Sequence, residues 1–116
     1  MFSVFEQPFP DGWNRVRISD AKPRQVGTEN VLALFLNNQE GYEKMFYIFL
    51  NNGSLLKALV LNTLGSEGLN RDIEEAELIG KEIMVFLQPK AAFQIITTIM
   101  GCDEDEEYND LPNDLF

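Results

Sequence analysis

Apolar residues recur in this chain mostly with a period of two, which predicts strands. Residues 13–19 alternate cleanly: Val16 and Ile18 share one face, and Trp13, Arg15 and Arg17 the other. Residues 28–36 predict a second strand with Leu32, Leu34 and Leu36 on one face. Residues 42–50 predict a third, rich in aromatic and β-branched residues. Residues 80–88 and 91–100 predict a fourth and a fifth, with Pro89-Lys90 between them. One segment breaks the period. Leu55, Leu56, Leu59, Val60 and Leu64 follow helical spacing, which predicts a buried helix from an N-cap at Ser54 to about Gly65. Residues 20–27, with Pro23 and Gly27, read as a loop, as do 65–72; residues 73–79 read as a helical turn or an acidic loop. Residues 1–11 hold three Phe and two Pro and read as an extended arm whose rings need a partner surface.

Three strands, a helix and two strands, without βαβ alternation, predict a mainly β chain. The expected fold is a five-stranded OB-like barrel with one helix between strands 3 and 4. A different small five-stranded barrel and an open α+β sheet are the other architectures this order allows. The chain has 116 residues, enough for one domain. That domain is expected over 1–101, with 102–116 a flexible acidic tail.

Charge sharpens this division. The chain has 9 Lys plus Arg, 19 Asp plus Glu and no His, a net charge of -10. Seven of the acids (Asp103, Glu104, Asp105, Glu106, Glu107, Asp110 and Asp114) fall in the last stretch, which carries no base. Like charges so dense repel one another and resist burial, so 102–116 reads as disordered. The twelve acids left face nine bases, and residues 1–60 are balanced at six each, with local basic character at 15–24. A second acidic cluster, at 72–82, sets Asp72, Glu74, Glu75, Glu77 and Glu82 against Lys81.

Catalytic chemistry finds little support. Without His, Ser-His, Cys-His and His-metal sites are excluded. Gly80-Lys81 is followed by Glu82, which excludes a P-loop. Asp103-Glu104-Asp105 lacks the glycine-centred spacing of a calcium loop, and acids beside Cys102 disfavour its thiolate. No enzyme, metal or cofactor is expected. One cysteine allows no internal disulfide, no apolar run approaches a membrane span, and the N-terminus lacks a signal-peptide pattern, so a cytoplasmic protein is expected.

Binding finds more. Single-stranded nucleic acid needs aromatic faces for bases and cations for phosphates. Trp13, Arg15 and Arg17 supply both on one strand face, and Lys22 and Arg24 follow in the expected loop. Tyr42, Lys44 and Phe46 alternate in the same manner on the third strand; the opposite face, Met45, Tyr47 and Phe49, is equally open to this role, because period alone does not say which side is core. The C-terminus supplies a second feature. Asp110-Leu111-Pro112 and the terminal Asp114-Leu115-Phe116 offer apolar side chains and a carboxylate to a protein groove with a basic rim. A solubilising tail is the plainer alternative.

Barrel-like order, Trp and Arg on the first strand and an acidic segment ending in Phe resemble the single-stranded DNA-binding proteins. Bacterial members end in several Asp and then Ile-Pro-Phe, where this chain has Asp110-Leu111-Pro112 and then Asn113-Asp114-Leu115-Phe116. The short barrel, its direct junction to the tail and Glu77-Leu78-Ile79-Gly80-Lys81 before the fourth strand look more like the phage-encoded members. The resemblance implies sequence-independent coating of single-stranded DNA in phage replication or recombination, in the host bacterial cytoplasm. It implies that the tail recruits replication or recombination proteins, and that the chain assembles as a dimer or tetramer, with residues 1–9 as a candidate contact. The competing expectation is an acidic interaction module or DNA mimic that inhibits a host DNA-binding enzyme.

Overall fold

The computed structural model describes residues 1–2 and 8–102. The chain runs β1 (Gly12–Val26), β2 (Glu29–Asn38), β3 (Glu43–Phe49), α1 (Gly53–Thr63), β4 (Glu82–Lys90) and β5 (Phe93–Met100). Two 3₁₀ turns, Ser66–Gly68 and Glu75–Leu78, lie between α1 and β4. The five strands form one antiparallel sheet in the order β3-β2-β1-β4-β5. The protein is therefore mainly β with one helix. No backbone ladder joins the outer strands β3 and β5 among the described residues, so the sheet is not a closed barrel. The two edges nevertheless approach each other. Lys44 Nζ on β3 donates to Gln94 Oε1 on β5 at 2.6 Å, and Gln94 Nε2 donates to Phe9 O at 2.6 Å.

One face of the sheet carries the core. Val16, Ile18, Leu34, Leu36, Ile48, Ile83, Val85 and Leu87 are fully or nearly fully buried, each worth about 1.5–3 kcal/mol of transfer free energy. Helix α1 lays Leu55 and Leu59 onto this face and packs mainly against β5. Phe9 closes one end of the core, edge-on to Phe46 with ring centroids 6.1 Å apart. At that residue the N-terminal arm packs on its own sheet. Residues 3–7 of the proposed oligomer contact lie outside the described residues.

Several expected boundaries move. The expected loop at 20–27 is largely strand, because β1 continues to Val26 on the β2 ladder. Beyond Arg17 no β4 residue pairs with it, which makes this half an edge among the described residues, where the N–H missing from Pro23 costs little. Pro89 and Lys90 belong to β4, and the hairpin turns at Ala91-Ala92 instead. The helix is capped by Asn52, whose Oδ1 accepts from Leu55 N–H at 3.2 Å, and not by Ser54, which lies inside the first turn. Gly68 packs its bare Cα on α1: a Cβ there would fall 2.7 Å from Val60 Cγ1.

Candidate nucleic-acid interface

Strand pairing fixes which side chains share the outer face. Before residue 19, even positions of β1 point into the core: Asn14, Val16 and Ile18 are buried. Ile18 pairs with Leu36, yet Asp20 pairs with Phe35, so Ser19 is an inserted residue, a β-bulge. A one-residue insertion reverses the alternation. After it, Ala21 turns inward, and Lys22 and Arg24 come to the same outer face as Trp13, Arg15 and Arg17. The four cations would otherwise be split between core and solvent. Ser19 Oγ lies 3.0 Å from Phe35 O and also bonds the Glu43 carboxylate, which holds the bulge between β1 and β3.

The same register assigns the aromatics. Lys22 stands opposite Ala33, which stands opposite Tyr47; Arg24 stands opposite Val31, which stands opposite Phe49. Each cation therefore shares a row with a ring, with a short side chain between them. Tyr47 and Phe49 are both 38% exposed. Phe35 joins them, with Lys22 Nζ 5.8 Å from its ring centroid. On β3 the two faces are thus distinguished: Met45, Tyr47 and Phe49 face outward.

Phe46 is a correction. It is 3% exposed and packed on Phe9, so no base can reach its face. Ile48 shares its side of the strand and is buried with it. Lys44 also belongs to that side. Its ammonium bonds Gln94 and lies 5.3 Å from the Phe46 ring centroid, where it bridges β3 and β5 instead of joining the β1 cations. Tyr42 is exposed but precedes β3, in the turn where its N–H donates to Asn38 Oδ1 at 3.0 Å. Lys22 and Arg24 lie on β1 rather than in a loop. Asp110, Leu111, Pro112, Asp114, Leu115 and Phe116 lie outside the described residues.

At the other end of β1 the sequence conceals an acid. Glu82, directly opposite Arg17 on β4, accepts from Arg15 Nη2 at 3.1 Å and from Arg17 Nη2 at 2.7 Å. These hydrogen bonds, Arg17's first, hold the Glu82 carboxyl below the usual carboxylate range. Two cations therefore share one anion. Lys22 is paired loosely with Asp20 at 3.6 Å, and Arg24 forms no ion pair among the described residues. An open cleft of about 360 Å³ runs between Arg15, Arg17 and Glu82 on one side and Asn37, Asn38 and Gln39 on the other. Asn37 Oδ1 is buried there with no hydrogen-bond partner among the described residues. A smaller cleft continues past Arg15 and Asn38 to Trp13. Trp13 is 43% exposed, its ring nearly perpendicular to that of Phe86 with centroids 5.1 Å apart.

Trp13, Arg15, Arg17, Lys22 and Arg24 therefore share one surface, over roughly 35 Å at 3.3 Å per residue. Tyr42, Lys44 and Phe46 do not join it. Phe35, Tyr47 and Phe49 do, as does the restraining carboxylate of Glu82. The signal for Phe35 was present in the sequence: if Leu32, Leu34 and Leu36 face the core, Phe35 cannot. The chain matches no protein-family model, and no curated protein matches its sequence.

Proposed function

We propose that the protein binds single-stranded DNA, without reading its sequence, across the outer face of β1, β2 and β3. The observation that carries this reading is the bulge at Ser19, which sets Arg15, Arg17, Lys22 and Arg24 on one face with Trp13, Phe35, Tyr47 and Phe49. Bases stack on the rings, each worth about 1–3 kcal/mol, while the cations hold phosphates. Such a binder works by stacking more than by charge, because Glu82 and Asp20 already offset part of the cationic stripe.

An OB-like barrel is the architecture that fits. The order β3-β2-β1-β4-β5, curled until β3 meets β5, gives a five-stranded barrel with α1 against one side. The Lys44–Gln94 bridge supports that curl. In OB folds the face of strands 2 and 3 binds oligonucleotides. Coating of strands in phage replication or recombination, with the acidic C-terminal segment recruiting partner proteins, completes the proposal. A DNA mimic would need acids where this face carries cations.

Fluorescence anisotropy of a labelled oligo-dT at low salt tests it. Saturable binding is expected, weakened at least tenfold by Tyr47→Ser with Phe49→Ser and little changed by Tyr42→Ser. No binding to any single-stranded oligonucleotide at low salt would overturn the proposal.

A further inference from the structure

On the core side of the sheet, away from the cationic face, α1 leaves an apolar groove. Leu32, Leu50, Leu56, Val60, Ile73 and Leu78 line a volume of about 250 Å³. Leu50 is half exposed, and Leu56, Val60 and Ile73 are each only partly covered. Leu32 points to the opposite side of β2 from Phe35, so the groove shares no wall with the proposed DNA surface. Glu75 lies in its wall. From 67 to 77 the chain carries five acids (Glu67, Asp72, Glu74, Glu75 and Glu77) against one base, Arg71. That base is already committed: Arg71 Nη2 donates to Glu77 Oε1 at 2.9 Å and its Nε to Glu67 O at 3.1 Å. Lys57 on α1 is the nearest other cation in sequence to the lining residues Leu56 and Val60.

We infer that this groove docks a cationic amphipathic helix of a partner protein, its apolar side chains entering between α1 and residues 73–78 and its Lys or Arg facing Asp72, Glu74 and Glu75. Helices bind apolar grooves in this way, through anchors at i, i+3, i+4 and i+7. The rim charge selects the occupant. The chain's own C-terminal segment contains Leu111, Leu115 and Phe116, but it would bring seven acids to a rim of the same sign. A basic partner meets an attractive field that speeds encounter and sets orientation. The groove is independent of nucleic-acid binding, so the surface stands or falls separately from the proposed function.

The test uses the full chain with methyl-labelled Leu, Val and Ile, titrated with an amphipathic Leu/Lys helix peptide and with a matched Leu/Glu peptide. Expected are saturable shifts at Leu50, Leu56, Val60 and Ile73 with the Leu/Lys peptide alone. Leu50→Ser with Glu75→Lys is expected to weaken binding at least tenfold and to leave oligo-dT affinity within twofold. Asp72→Lys with Glu75→Lys, which removes no apolar side chain, gives the same reading if the Ser variant does not fold. Shifts confined to residues 103–116, or equal binding of the Leu/Glu peptide, would overturn the inference. So would movement of the groove methyls on deleting 103–116 without peptide, which would make the chain's own tail the occupant.

Discussion

Trp13 meets Phe86 across the β1–β4 ladder with the two rings 80° apart, and Trp13 stays 43% exposed beside it. A part-exposed ring already packed on a neighbouring ring loses less side-chain entropy when a base arrives than a free one does. Trp13→Ala is therefore expected to weaken oligo-dT binding by about one to two orders of magnitude, the equivalent of 1–3 kcal/mol per stacked base. In the native chain the fluorescence of this single Trp should be quenched as the oligonucleotide is added. Unchanged emission at saturation would place bases elsewhere.

Lys22 and Arg24 owe their position to the Ser19 bulge. Each is expected to make one phosphate contact, so Lys22→Ser and Arg24→Ser should each lower the slope of log affinity against log salt by about 0.7. Arg24, without an ion pair to break among the described residues, should show the larger loss at low salt. Equal slopes for both variants and the native chain would remove these cations from the interface.

Glu82 restrains Arg15 and Arg17. Glu82→Gln is expected to raise affinity for oligo-dT a few-fold at low salt and to steepen its salt dependence. The same substitution changes acid stability. The folded carboxyl titrates below its usual value of 4.5, chiefly through the hydrogen bond from Arg17, so it stabilises the fold above that pH. This contribution is lost as pH falls from 4.5 through the lower folded value. In urea melts the native chain should exceed Glu82→Gln by a small margin, below about 1 kcal/mol for so exposed a pair, at neutral pH. The margin should shrink on acidification. A margin that grows would reverse the sign argued here. Glu77, held low first by its hydrogen bond from Arg71, should behave in the same direction.

Helix capping gives a test independent of binding. Asn52→Ala removes the acceptor for Leu55 N–H and should cost about 0.5–2 kcal/mol. Ser54→Ala should be close to neutral, since Ser54 lies two residues past the cap, inside the first turn of the helix. A larger loss at Ser54 in thermal or urea melts would move the helix start.

Much of the fold was legible because β-strand alternation is a local signal. Val16 and Ile18, the Leu32-Leu34-Leu36 series, and Leu55 with Leu59 are core positions that pattern alone predicts, and they are buried. Residues 20–27 were not legible, because Pro and Gly suggest a loop while strand pairing to β2, which depends on distant residues, makes an edge strand. The cap was ambiguous for a smaller reason: Asn52 and Ser54 are both good caps, and only backbone geometry selects one.

The candidate site divides in the same way. By itself the sequence determined that Trp13, Arg15 and Arg17 share a strand face, since a period of two needs no neighbours, and that the acids crowd toward the C-terminus. Only the tertiary structure decided that Lys22 and Arg24 join them, because a bulge reverses alternation and is defined by the partner strand's register. Only it decided between the two faces of β3, because Phe46 and Tyr47 are equally suited to a strand until the core chooses one. And only it brought Glu82, sixty-five residues beyond Arg17, to within 2.7 Å of that guanidinium, a pairing set by the β1–β4 ladder and by no local rule.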